Sequence, residues 1–288
     1  MNNKNNGKYK ALLIYDKERG AKNQDYIQMH QQVGERFGIT FDFVYGEESD
    51  SFLVDNKPDF AIMRMTDYRL SKKLEQLGIP VFNNSTISQI CNDKYLTLTY
   101  VEEHAPDVPI VSYRFFFNHE LSENLCQTHP NCVIKAVDGH GGSQVFSTKE
   151  SFEVIKKQMG NSDFLIQPFI HGPGKDVRVY VIGNKIIGAI ERTAEPGEFR
   201  SNFSLGGHVK NYKLKEDEFK LVNQIIRLFD FGMVGIDFII DDKGHFVFNE
   251  IEDVVGARML FHCNPGIDLL EQYFSHILSR IGCNANTD

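Results

Sequence analysis

The sequence predicts an α/β protein in which a small parallel layer precedes a region built on hairpins. Two observations carry that expectation. Over about the first eighty residues, short apolar strands alternate with helical stretches, as parallel strands joined by crossover helices do. Much later, VGIDFII and HFVFNEIE flank the polar turn Asp241-Asp242-Lys243-Gly244, which reads as an antiparallel hairpin. At 288 residues the chain suits one large domain or two to three small ones, with ample core.

In order, YKALLIY is the first strand, a helical mixture over 23–37 stops at Gly38, and ITFDFVY resumes as a strand. PDFAIMRM is the third strand, followed by a helix over 71–77 and the GIPVF strand. No G-x-G-x-x-G follows the first strand, which excludes a standard dinucleotide fingerprint. Asn83, Asn84 and Ser85 supply helix-capping oxygens, and the residues after them are expected to run helically past Asp93-Lys94. Asp107-Val108-Pro109 breaks that pattern before a strand over 110–117. FLIQPFI is another strand, DVRVYVI alternates charged and apolar residues, and Asn184 turns the chain into KIIGAIER. An amphipathic helix over 216–229 turns Phe219, Val222, Ile225, Ile226 and Phe229 toward the core. A terminal helix covers 266–281.

A net charge of −8 argues against a nucleic-acid surface, which needs a basic patch. No apolar run approaches the ~18 residues of a membrane span, and the polar start MNNKNNGKYK lacks a signal-peptide core. The expectation is a cytoplasmic protein without membrane contact. Cys91, Cys126, Cys132, Cys263 and Cys283 are odd in number, scattered and free of any CxxC pair, which points to reduced thiols. No Ser/His/Asp or Cys/His arrangement is recognisable.

Two stretches carry chemistry. In the late hairpin, a two-residue loop at Lys243-Gly244 sets Asp237 opposite Glu250, and a four-residue loop still keeps them on one face. Glu252 shares that face, so three carboxylates converge on an apolar hairpin. Like charges opposed on a sheet cost up to ~1 kcal/mol per pair, and a cation should offset that. Oxygen ligands in this number suit Mg²⁺ or Mn²⁺, while a solvated acidic face is the plainer reading. In NCVIKAVDGHGGSQV, Lys135 sits on an apolar strand that runs into Gly139-His140-Gly141-Gly142. An ammonium in such company is rarely left unpaired, and the glycine loop can bring backbone N–H groups to an anion. Together they suggest phosphate; a hairpin lysine reaching solvent is the alternative. The P-loop spacing fails, because Gly174-Lys175 is followed by Asp176.

The order and spacing of these features resemble the RimK-like branch of the ATP-grasp carboxylate–amine ligases, over about residues 82–266. The likeness is densest in IQPFIHGPGKDVRVYVIGNKIIGAIERTAEPGEFRSNFSLGG and in GIDFII…FVFNEIEDVVG. It implies a small α/β domain over 1–83, a central subdomain with a glycine-rich lid over 84–163, and a metal-bearing subdomain over 164–288. The last two would clasp ATP between antiparallel sheets. It makes Lys94 and Lys135 phosphate contacts and puts Gly139, His140, Gly141 and Gly142 in the loop over the phosphates. Gln167, Pro168, Phe169 and Ile170 become the adenine hinge, and Asp176 the ribose contact. Arg178, and Arg200 with Asn202, would face the phosphate and the reacting carboxylate. Asp237 and Glu250 would hold Mg²⁺ or Mn²⁺, and Glu252 as a third ligand would make it a two-ion site. Glu252 paired with Arg258 is the alternative.

The implied activity joins a small-molecule or peptide carboxylate to an amine through an acyl phosphate, releasing ADP and phosphate. It leaves room for a homo-oligomer. The rival is a nucleotide-sensing scaffold that has lost ligation. Three departures bear on that choice. Pro168 stands where relatives often carry Glu, Glu252 where they carry Asn, and 253–258 replaces a small-residue, Pro-Gly continuation.

Overall fold

The computed structural model describes residues 8–142, 144–194 and 208–284. Its first sheet is parallel, in the order β2-β1-β3-β4. β1 (Tyr9–Tyr15) leads through α1 (Lys17–Lys22) and α2 (Gln24–Arg36) to β2 (Ile39–Tyr45). From there α3 (Ser49–Asp55), β3 (Phe60–Met63), α4 (Tyr68–Gln76) and β4 (Val81–Phe82) complete the layer. The apolar runs of β1 and β3 are buried throughout their centres, as strands covered on both faces require. The charged helix α1 was not expected from the apolar pattern. Its signal is the Asp16 cap, whose carboxylate accepts the Arg19 backbone N–H at 2.7 Å.

Past Asn83 the structure corrects the single helix. α5 (Ser85–Cys91) ends, and α6 (Lys94–His104) starts afresh on an Asp93 cap that accepts the Leu96 N–H at 3.0 Å. An aspartate competes with the helix for backbone donors, and here it restarts the helix with Lys94 in the first turn. The second sheet has the order β5-β8-β6-β7, all antiparallel. It comprises β5 (Arg114–Phe116), β6 (Cys132–Ala136), β7 (Val145–Ser147) and β8 (Phe164–Pro168), with α7 (Glu123–Thr128) and α8 (Phe152–Met159) between them. The strand expected over 110–117 is shorter than its apolar pattern: Ile110 instead bridges to Phe248 of the next sheet.

The third sheet, β11-β10-β9-β12-β13, is also antiparallel. Its strands are β9 (Lys175–Ile182), β10 (Lys185–Thr193), β11 (His208–Asn211), β12 (Met233–Ile240) and β13 (Phe246–Glu252), with α9 (Glu216–Ile226) ahead of β12. Val222, Ile225 and Ile226 of α9 are buried, but Phe219 is 50% exposed, so the apolar stripe is narrower than expected. α10 (Arg258–Cys263) and α11 (Leu269–Asn284) then return to the parallel layer. There Phe274 packs on Phe41 with ring centroids 5.3 Å apart, in a core shared with Tyr180, Ile182 and Met233. Among the described residues no helix is long and apolar enough to cross a membrane.

The hairpin reaches the expected pairing by another route. Ile240 faces Phe246, and the three residues 242–244 form the tip beyond the Asp241 N–H bond to the His245 carbonyl (3.1 Å), with Gly244 at φ +80°. That loop alone would set Asp237 opposite Asn249. A β-bulge absorbs one residue, and Asp237 pairs with Glu250 after all. The bulge has a second effect: alternation fails at Asn249 and Glu250, which are both left on the side away from the buried Phe248 and Ile251.

Candidate active site

A cleft of about 370 Å³ lies between the second and third sheets. The chain between β8 and β9 bends tightly beside it. A Cβ on Gly172 would stand 2.3 Å from the Ile240 carbonyl oxygen, so only glycine lets this loop close against β12. Lys94, Lys135, Gly139, Gly141, Gly142, Gln167, Pro168, Phe169, Ile170, Asp176 and Glu250 all line the cleft. His140 is exposed and does not contribute to the lining. Arg178, Asp237 and Glu252 are likewise absent from it. Arg200 and Asn202 lie outside the described residues.

One end of the cleft is built on lysines. Lys94 enters from the first turn of α6, where its ammonium donates to the Gly139 carbonyl and stands 3.1 Å from Glu250. Lys135 donates to Asn249 Oδ1 at 2.8 Å, across the bulge of β13. Burial pushes the Lys135 pKa down to about 8; Glu250 pulls it up and Lys94 adds to the depression. Burial alone would raise the Glu250 carboxyl, yet Lys94 and then Lys135 hold it below the usual carboxylate range.

Beside the cleft stands an arginine frame, of which Asp176 and Arg192 reach the lining. Arg178 and Asp237 are register partners on β9 and β12, joined by a bidentate pair at 2.8 and 2.7 Å. Arg192 of β10 adds a third contact to Asp237 at 2.8 Å and also binds Asp176. Arg178 also contacts Glu252. Asp237 is only 1% exposed; burial opposes its charge, and Arg178 and Arg192 outweigh that, keeping it ionised far below the usual range. Burial raises Glu252 instead.

Each of the three carboxylates expected on the hairpin is met by a cationic side chain. Among the described residues no three acidic, histidine or cysteine side chains come close enough to hold an ion. Arginines and a lysine intervene and supply the neutralising charge that the hairpin needs. Glu252 turns to Arg178, not to Arg258. Sequence reasoning also missed Arg192, Lys175 and Asn249, which all line the cleft. Arg192 stands opposite Asp176, a cross-strand charge pair visible once KIIGAIER and DVRVYVI are paired. Asn249 carries no such signal, because a bulge turns it inward.

Residues 115–277 match the family model of the RimK-like ATP-grasp domain. The chain belongs to the RimK-like ATP-grasp family. It is thereby a ligase of the carbon–nitrogen bond-forming kind, and use of ATP with a divalent metal comes with membership. This RimK-like chain is 25% identical to an uncharacterized protein of Mycoplasma genitalium, over 94% of the chain and 93% of that protein. A probable alpha-L-glutamate ligase 2 of Hahella chejuensis is 35% identical, over 61% of the chain and 60% of its own length. Human N-acetylaspartylglutamate synthase A is 27% identical, over 69% of the chain and 54% of its own length. Among solved structures, a RimK domain ATP-grasp protein of Sphaerobacter thermophilus superposes with a TM-score of 0.69 at 17% identity, covering 93% of this chain and 98% of that one. D-alanyl-alanine synthetase A of Vibrio cholerae gives 0.70 at 15% identity, covering 96% and 99%. These likenesses show the fold.

Proposed function

We propose that this chain joins a carboxylate to an amine at the expense of ATP, through an acyl phosphate. The carboxylate attacks the γ-phosphorus, the bond to the ADP oxygen breaks, and ADP leaves. The amine then attacks the acyl carbon, phosphate departs with the bonding pair, and the amine loses its proton. The substrates we propose are amino acids, small acids or peptide ends, a class that includes the glutamate and alanine units in the names of the relatives. The observation that carries the reading is Lys135: a half-buried ammonium on the cleft wall whose one hydrogen bond among the described residues is to a neutral amide. Glu250 is the nearby anion, and Lys94 already shares it, so an anionic ligand offsets desolvation that one carboxylate between two ammonium groups leaves uncompensated.

In this reading Lys94 and Lys135 bind phosphate oxygens, and the Gly139–Gly142 segment with His140 lies over them. Gln167 to Ile170 hold adenine through backbone groups. Pro168 offers only its carbonyl, and Asp176 faces the ribose. Glu250, with Asn249 beside it, presents oxygen to the cleft and would hold a divalent metal. Asp237 already accepts three N–H contacts, which leaves about one of its four lone-pair positions for an ion. Glu252 would join as a ligand of a second ion by leaving Arg178. A bound Mg²⁺ or Mn²⁺ supplies charge that screens the phosphates. Arg178 is aligned by two carboxylates, and with Arg200 and Asn202 it orients the reacting carboxylate by position and charge alone.

The test is ADP release with Mg-ATP against a matrix of amino acids, dipeptides and small acids. Release that needs both an acid and an amine supports ligation. Tight nucleotide binding without release for any pair would favour the nucleotide-sensing scaffold.

A further inference from the structure

Asp253 sits one residue past Glu252, in the stretch where the sequence departs from the small residues of its family. We propose that Asp253 is a positioning residue: through Asn92 it sets the spacing between Lys94 and Glu250 across the cleft. This rests on the reading that the lysine end of the cleft holds nucleotide.

Asp253 is 3% exposed, and both of its oxygens are engaged by neutral donors. One accepts Asn83 Nδ2 at 2.6 Å and the other Asn92 Nδ2 at 2.9 Å. The orientation of Asn83 is set independently. Its Oδ1 accepts the backbone N–H groups of Gly232 (2.7 Å) and Met233 (3.1 Å), so its NH₂ must face Asp253. A Cβ on Gly232 would stand 2.6 Å from that Oδ1, which makes glycine necessary for the approach. Asn92 donates in the same way to the Ser88 carbonyl at 2.8 Å. Two NH₂ groups thus converge on one point, and only an acceptor on both sides, a carboxylate, satisfies them.

The placement gives the contact its consequence. Asn92 lies two residues before Lys94, and Asp253 lies three residues after Glu250. The Asn92–Asp253 bond therefore ties together the same two segments that meet at the 3.1 Å Lys94–Glu250 pair. Those segments come from different layers, α6 and β13, and neither is joined to the other by a backbone ladder. A second, buried tie keeps the ammonium and the carboxylate at a set distance when phosphate competes for both.

Asp253→Asn keeps the size but sets one NH₂ against another. We expect Mg-ADP affinity, measured by calorimetry well below the melting temperature, to fall about tenfold, the loss of one well-placed contact. If Asp253→Asn does not fold, Asn92→Ala removes only the donor and should weaken Mg-ADP in the same direction. A lower melting temperature with unchanged affinity would make Asp253 merely structural and overturn the proposal. Failure of the wild-type protein to bind Mg-ADP would instead sink the underlying function.

Discussion

In the cleft Lys135 donates, among the described residues, to a neutral amide, whereas in the frame beside it Arg178 and Arg192 share Asp237 and each holds a second carboxylate. Both clusters concentrate positive charge; the arginines are buried and the lysines half-buried. The arginine frame is largely paired: planar guanidinium forks match carboxylates bidentately, and Arg178 keeps only the N–H donors not spent on Asp237 and Glu252 for a further anion. The lysine end keeps ammonium protons and a depressed pKa, the condition of a group awaiting a partner. The difference separates a frame, which holds the sheet's geometry, from a docking point, which gains from a ligand.

The largest effect should come from breaking the frame. Asp237→Asn leaves two buried guanidinium groups without their shared anion, at a cost of about 3–5 kcal/mol. The measurement is the denaturation midpoint at constant slope, and a loss below about 1 kcal/mol would show that the arginines are not held through Asp237. Lys135→Met should behave oppositely. It removes a charge that the fold buries unfavourably, so the midpoint should stay or rise, while Mg-ADP affinity falls roughly tenfold to a hundredfold.

Proton linkage sharpens that contrast. The Lys135 pKa of about 8 lies below the ~10.4 of an unfolded lysine, so the unfolded chain binds more protons between those values. The contribution of Lys135 to the stability of the nucleotide-free protein should therefore rise with pH across that window, and the Met variant should lose this slope. Bound phosphate favours the charged form, so Mg-ADP should take up protons above about pH 8 and bind less tightly as pH climbs. Buffers of different ionisation enthalpy would read that uptake, and none in the wild type would remove Lys135 from the site.

The smallest effect is expected at Glu252, one of Arg178's two carboxylates and 30% exposed. Glu252→Asn should keep activity but raise the metal concentration it needs, with a stability change within about 1 kcal/mol. An unchanged metal midpoint in both Glu252→Asn and Glu252→Gln would return Glu252 to the arginine frame alone.

Much of the site was legible because local chemistry announces it. An apolar strand with one lysine and the glycine loop after it mark Lys135 and Gly139 to Gly142 without any three-dimensional information, whereas Gln167 to Ile170 read locally as a strand and are picked out by the family resemblance. Local reading also suffices for strands such as YKALLIY, whose periodicity survives any context. Asp93 shows where local reading failed: a helical pattern ran through it, and its side chain stopped and restarted the helix. Arg192 needed a strand pairing before its partner could be named.

By itself the sequence determined the parallel layer, the late hairpin and the residue types of the cleft, because each follows from periodicity and turn chemistry within one short segment. Only the tertiary structure decided which charge meets which. Asp237 goes to two arginines, Glu250 to Lys94, Glu252 to Arg178 and Asp253 to two amides, from strands and helices up to 170 residues apart. A carboxylate looks the same in every sequence. Its partner depends on register, on one bulge at Asn249 and on the low-dielectric interior, where an unpaired charge is too costly to leave.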